Sequence, residues 1–139
     1  MVAAQLRIGT LEITGVLALA ALIAARPRVV VATEVGGLHP VKAVLRVFEL
    51  GRERLFEALC PLTLGRDRTC ELVLADAEVS RKHARLETQG EVVFVRDLES
   101  SNGTFLNGQR LTGTVETREG DTIDVGTTRI IVEKLQSWT

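Results

Sequence analysis

No charge of one sign dominates this chain of 139 residues. Its 17 Lys and Arg stand against 18 Asp and Glu, for a formal net charge of −1. Without a basic excess there is no overall field to draw in nucleic acid or an acidic membrane, so any anion site must be local. Cysteine and histidine are scarce as well. Cys60 and Cys70 match no zinc or redox spacing, and His39 and His83 are too few and too scattered to complete a site. No metal is expected, and both cysteines read as small buried hydrophobes of a reducing compartment. No glycine-rich loop opens a helix, which removes a nucleotide cradle. There is no internal repeat and no low-complexity tract.

Apolar residues are concentrated at the N-terminus. From Ile8 to Ala25, "IGTLEITGVLALAALIAA", the only charge is Glu12, and Arg26-Pro27-Arg28 ends the run. The composition favours a helix that is apolar on all sides. Its strongest part, residues 13–25, would be about 20 Å long, short of a hydrocarbon core of roughly 30 Å; counting from Ile8 approaches the lower limit. Three readings stand: a membrane anchor, a helix packed on the domain or a partner, and a cleaved signal peptide. Arg26 and Arg28 after the run, against Arg7 before it, would leave the rest of the chain in the cytoplasm, at the inner face of the membrane. A Gly-Gly and a Pro then lead into a new texture. The expected division is 1–40 as apolar helix and linker, 41–136 as a domain, and 137–139 as a tail.

From about Lys42 onward, short β-branched runs alternate with turn residues. "AVLRVFEL" and "RLFEALC" flank a short turn, and "HARLET" and "EVVFVRD" flank Gln89-Gly90. "TFLNGQRL" places Asn107-Gly108 as a two-residue hairpin loop. Nothing sustains helical periodicity for three turns. An all-β sandwich follows.

Unusual chemistry gathers where strands give way to loops: "LGRD" around Arg66, "EVSRKH" around Ser80, and "LESSNGT" around Asn102. Ser80, His83 and Asp97 supply the side chains of a catalytic triad, but there is no "G-x-S-x-G" elbow and no nucleophile on a strained turn. The expectation is that the chain is not an enzyme and that His83 ties loops together. The anion reading fits better. Arg66 and Arg81 bring planar forks of donors, Lys82 an ammonium, Ser80 a hydroxyl, and Ser100 or Ser101 a second one. A phosphoryl group, with three acceptor oxygens and a charge of about −1.5 to −2, suits such a set.

In combination, "GR" at 65–66, "SRKH" at 80–83, "DLESSNGT" at 97–104, "NG" at 107–108 and "GD" at 120–121 make the sequence resemble the forkhead-associated (FHA) domain family over roughly residues 43–135. The resemblance implies a β-sandwich of about eleven strands that binds phosphothreonine peptides through loops at one end, with no catalysis, metal or cofactor. By motif position, Arg66 contacts the phosphate or braces its loop. Ser80, Arg81 and Ser101 face the phosphate, and Asn102 bonds the ligand's backbone. Gly65, His83 and Gly103 support the loops. The implied partner is a phosphothreonine-bearing protein, such as a substrate of a serine/threonine kinase; nucleic acid is not expected, and a membrane only through residues 8–25. A structural scaffold that has lost phosphate affinity is the alternative. Family members often choose partners by the third residue after the phosphothreonine. On that pattern Asp76 and Glu78, in the loop before Ser80, are expected to disfavour an acid there.

Overall fold

The computed structural model describes residues 40–137; the apolar run 8–25 lies outside them. Eleven strands follow in chain order: β1 Val41–Glu49, β2 Arg52–Leu59, β3 Leu62–Gly65, β4 Leu72–Val73, β5 Ala84–Gln89, β6 Val92–Asp97, β7 Thr104–Leu106, β8 Gln109–Arg110, β9 Val115–Thr117, β10 Thr122–Val125 and β11 Thr128–Ser137. They form two sheets, ordered β2-β1-β11-β10-β7-β8 and β4-β3-β5-β6-β9. The all-β reading and the strand number agree with the sequence. No helix occurs among the described residues, so none there is long and apolar enough to cross a membrane.

Period-two patterning builds the core. In β1, Val41, Ala43, Leu45 and Val47 are buried while Lys42, Val44, Arg46 and Phe48 alternate outward. Leu62, Leu64, Leu86, Val93 and Val95 from the smaller sheet meet Ile123, Val125, Ile130 and Val132 from the larger one. Asn107 (φ 50) and Gly108 (φ 83) both adopt left-handed backbone between β7 and β8, the geometry of a tight hairpin turn. β9 was not legible in the sequence: Val115-Glu116-Thr117 is too short and too polar to show alternation. Cys60 and Cys70 are free and buried, and burial pushes the Cys60 thiol up to about 11.

The motif pieces separate between the two ends of the sandwich. At one end, Asn107 accepts from the Thr122 N–H (2.9 Å) and donates to Asp121 (3.1 Å), whose other oxygen accepts from the Arg118 N–H (2.8 Å). This clamp is structural. The remaining pieces converge at the opposite end, where β3, β6 and β10 finish and β5, β7 and β11 begin.

Candidate functional site

Gly65, the last residue of β3, brings two loops into direct contact. A Cβ built there would lie 2.1 Å from the Arg81 carbonyl oxygen and 2.9 Å from that of Ser80. Only glycine lets the 80–81 backbone pass so closely. The contact is sealed on either side, because the Arg66 N–H donates to the Ser80 carbonyl (3.1 Å) and the Asp67 N–H to the Arg81 carbonyl (3.0 Å). Arg66 Nε also donates to the Val79 carbonyl. The guanidinium is thereby braced at one nitrogen, while its two terminal nitrogens remain for an anion.

His83 is fully buried and clasps the two ligand-side loops. Its Nδ1 accepts from the Ser80 N–H (3.0 Å), so Nδ1 carries no proton and Nε2–H donates to the Gly103 carbonyl (2.8 Å). Both ring nitrogens are committed to backbone, and neither is left to act as a base for Ser80. A Ser-His catalytic pair is excluded by this geometry.

Ser80 Oγ accepts from the Ser101 N–H (3.0 Å), which leaves the hydroxyl proton free to be donated. Asn102 Nδ2 donates to the Glu78 carbonyl (2.9 Å). Its Oδ1 and second amide hydrogen can still accept from and donate to the main chain of an extended peptide. Ser101 and Asn102 are exposed. Ser100 is not a ligand group: its Oγ donates to Asp97 and accepts from the Gly103 N–H (2.9 Å). Of the two serines left open by the sequence, Ser101 alone presents its side chain.

Asp97 organises the 98–103 loop. It accepts from the Ser100 N–H (3.0 Å), the Ser100 hydroxyl and the Thr104 hydroxyl (2.6 Å). Burial pushes its carboxyl up, but these hydrogen bonds outweigh burial and hold it below its ordinary value. Gly103 has φ 84, and the Arg110 guanidinium lies against its α-carbon, with Nε 2.9 Å from the position a Cβ would take. The motif reading did not single out Arg110, because its proximity arises from the β7–β8 hairpin.

Arg66, Arg68, Arg81 and Lys82 are exposed, and none forms an ion pair among the described residues. Asp67 is the acid beside them. Hydrogen bonds from Thr69 hold its carboxyl below the ordinary value, with Lys82 and Arg81 adding to the effect. The nearly neutral chain therefore carries a local cluster of cations at its loop end.

Contrary to the expectation from sequence, Asp76 does not face a ligand. It is 2% exposed and accepts from the Thr127 N–H (2.8 Å), the hydroxyls of Thr127 (2.7 Å) and Thr128 (3.0 Å), and the Glu78 N–H (3.0 Å). It ties the loop before Ser80 to the β10–β11 turn. Glu78 is exposed and is left as the charged side chain of the pair. Burial of Asp76 raises its pKa, yet these donors overcome that and bring it to about 2. A depressed folded-state value means the stabilisation is complete above pH ~4 and is lost as pH falls through about 2. Its size is about 2 kcal/mol. Asp76→Asn should be less stable by about that amount at neutral pH, and its melting temperature should fall less than wild type between pH ~4 and ~2. Thermal melts across that range check both points.

A family model described as "FHA domain" matches residues 62–126. FhaB of Mycobacterium tuberculosis, an FHA domain-containing protein, is 39% identical over 70 residues, covering 50% of this chain and 45% of FhaB. This chain thus aligns with under half the length of that relative. The FHA domain of FhaA, solved in complex with the intracellular domain of a second protein, is 30% identical with a TM-score of 0.57, over 67% of this chain and 99% of that one. A domain solved for the analysis of phosphothreonine-dependent FHA domain interactions is 29% identical with a TM-score of 0.60, over 68% and 96%. The chain belongs to the FHA domain family. A binding domain without enzymatic activity fits both that family and the committed ring nitrogens of His83.

Proposed function

We propose that this chain is a phosphothreonine-peptide recognition module that acts as an adaptor, recruiting substrates or partners of a serine/threonine kinase. The observation that carries the reading is the clasp made by His83. It fixes the Ser80 and Gly103 loops together and so sets the Ser80 hydroxyl beside Ser101 and Asn102. In this reading, the terminal nitrogens of Arg66, the Arg81 guanidinium, and the hydroxyls of Ser80 and Ser101 hold the phosphate, while Asn102 reads peptide main chain. Each charge-assisted hydrogen bond is worth about 1.5–3 kcal/mol, so three or four, less the cost of ordering, reach about micromolar affinity. A scaffold without phosphate affinity would need the internal bonds of Arg66, Ser80 and Asn102 but not the donor groups those bonds leave unused.

Glu78 sets the charge near the third ligand residue after the phosphothreonine and disfavours an acid there. A phosphothreonine peptide library selected on the full chain tests this. Selection of Asp or Glu at that position would contradict it, and depletion of both would support it. The proposal extends to place: residues 8–25 tether the module at the inner face of a membrane. Flotation of the full chain with lipid vesicles, lost when 8–25 are deleted, supports the tether, and flotation unaffected by the deletion removes it.

A further inference from the structure

Away from the loop end, most cations of the described residues are paired. Arg46 bridges Glu53 and Glu133, Arg118 meets Glu116 (3.2 Å), and Arg129 grips Asp124 (2.9 and 3.2 Å). Arg110 differs. It is exposed, and its guanidinium makes neither a hydrogen bond nor an ion pair among the described residues. It is nevertheless held in place. β8 returns antiparallel to β7 with Arg110 opposite Phe105, and the Leu111 N–H donates to the Thr104 carbonyl (2.8 Å). This pairing carries the guanidinium back to Gly103, where Nε, Cζ and Nη2 lie 2.9, 3.1 and 3.2 Å from the position a Cβ would take. Three atoms at nearly one distance mean that the guanidinium lies flat over the glycine rather than touching it with one tip. The donors of a guanidinium point outward in its plane, so this seat leaves them unused.

Gly103 belongs to the ligand loop itself. It follows Asn102, its carbonyl is clasped by His83, and Ser101, two residues earlier, takes the Ser80 hydroxyl oxygen on its N–H. Two residues of chain span at most about 7 Å, so the guanidinium stands within reach of a ligand held at Ser80 and Ser101. The other unpaired cations of this end, Arg66, Arg68, Arg81 and Lys82, come from the 66–82 segment, whereas Arg110 comes from β8. We infer that Arg110 is a specificity-determining residue that pairs with a carboxylate of the phosphopeptide, on an Asp or Glu within about two residues of the phosphothreonine. A planar fork of unused donors matches a carboxylate with two parallel hydrogen bonds. Its seat on Gly103 restricts the side chain before the ligand arrives, which lowers the ordering cost of binding. The preference falls closer to the phosphothreonine than the third following residue, where Glu78 opposes an acid. The inference rests on the phosphothreonine reading and deepens it.

The test uses the full chain with phosphothreonine peptides randomised at the two positions before and the two after the phosphothreonine. A selected peptide and its copy with Gln in place of the acid are then compared by fluorescence anisotropy. Asp or Glu should be enriched at one position, and the exchange to Gln should weaken binding about fivefold, the size of one solvent-exposed ion pair. Arg110 is exposed on the edge strand β8, so substitutions there leave the core untouched. Arg110→Met keeps an unbranched stem over Gly103 without the charge, and the acidic and Gln peptides should then bind equally. Arg110→Lys keeps the charge and should retain a preference for the acidic peptide. If Arg110 only covered Gly103, Arg110→Met would weaken both peptides by the same factor and leave their ratio unchanged. That result, or no acid enriched by wild type at any randomised position, would overturn this inference alone. Failure of every peptide to bind wild type would overturn the phosphothreonine reading and this inference with it.

Discussion

Replacing Gly65 with alanine is expected to destabilise the domain by about 3 kcal/mol or more, at the upper end of what overpacking costs, and to abolish phosphopeptide binding. A methyl at Gly65 would sit 2.1 Å from the Arg81 carbonyl oxygen and 2.7 Å from its carbon. Both are backbone atoms, which no side-chain rotation can move. The 80–81 segment would have to retreat, and the hydrogen bonds from the Arg66 and Asp67 N–H groups across the gap would be lost with it. Both elements that present cations, Arg66 and the Ser80–Lys82 segment, are displaced by the same step. Gly113 serves as the control: nothing lies within 4 Å of a Cβ there, and its φ is not in the left-handed region. Gly113→Ala should be neutral or slightly stabilising. Urea denaturation of the two variants beside wild type measures the contrast.

The second large effect is expected at His83. His83→Ala removes a fully buried ring and leaves a cavity, and it strips the Ser80 N–H and the Gly103 carbonyl of their partners. A cavity of this kind costs about 2–5 kcal/mol, and each unsatisfied buried group adds about 1–3 kcal/mol. His83→Phe separates the two contributions. It restores the volume while both backbone groups stay unpaired, so it should recover part of the stability and none of the binding. Full recovery of binding in His83→Phe would show that the ring only fills space. Denaturation and peptide titration of the two variants give the answer.

The same contacts explain what was legible in the sequence. Alternation in β1, the polar turn between β5 and β6, and Asn107-Gly108 are local signals, set by neighbours a few residues apart, and they fixed the fold class. Arg66, Ser80, Arg81, Ser101 and Asn102 stood out because their chemistry clusters at strand ends and matches a family pattern. From sequence Asp76 looks like a ligand-facing charge because its partners, Thr127 and Thr128, lie 51 and 52 residues away. A carboxylate with distant partners looks the same in sequence as a solvated one. Ser100 and Ser101 are adjacent and chemically identical, and only the Asp97 and Gly103 contacts distinguish them. Arg110 reaches the loop end through strand pairing, which residue type does not reveal.

Phosphothreonine binding at the loop end through Arg66 and Ser80 is tested most directly by calorimetric titration of the full chain with one peptide in phosphothreonine, phosphoserine and unphosphorylated forms, repeated with Arg66→Ala and Ser80→Ala. About micromolar binding of the phosphothreonine form is expected, with weaker binding of phosphoserine and no measurable binding of the unphosphorylated form. Each variant should lose about tenfold or more in affinity while remaining folded, its melting temperature lowered by only the several degrees that one lost internal hydrogen bond costs. Binding indifferent to the phosphate, or unchanged in folded Arg66→Ala and Ser80→Ala, would contradict it and favour a scaffold role.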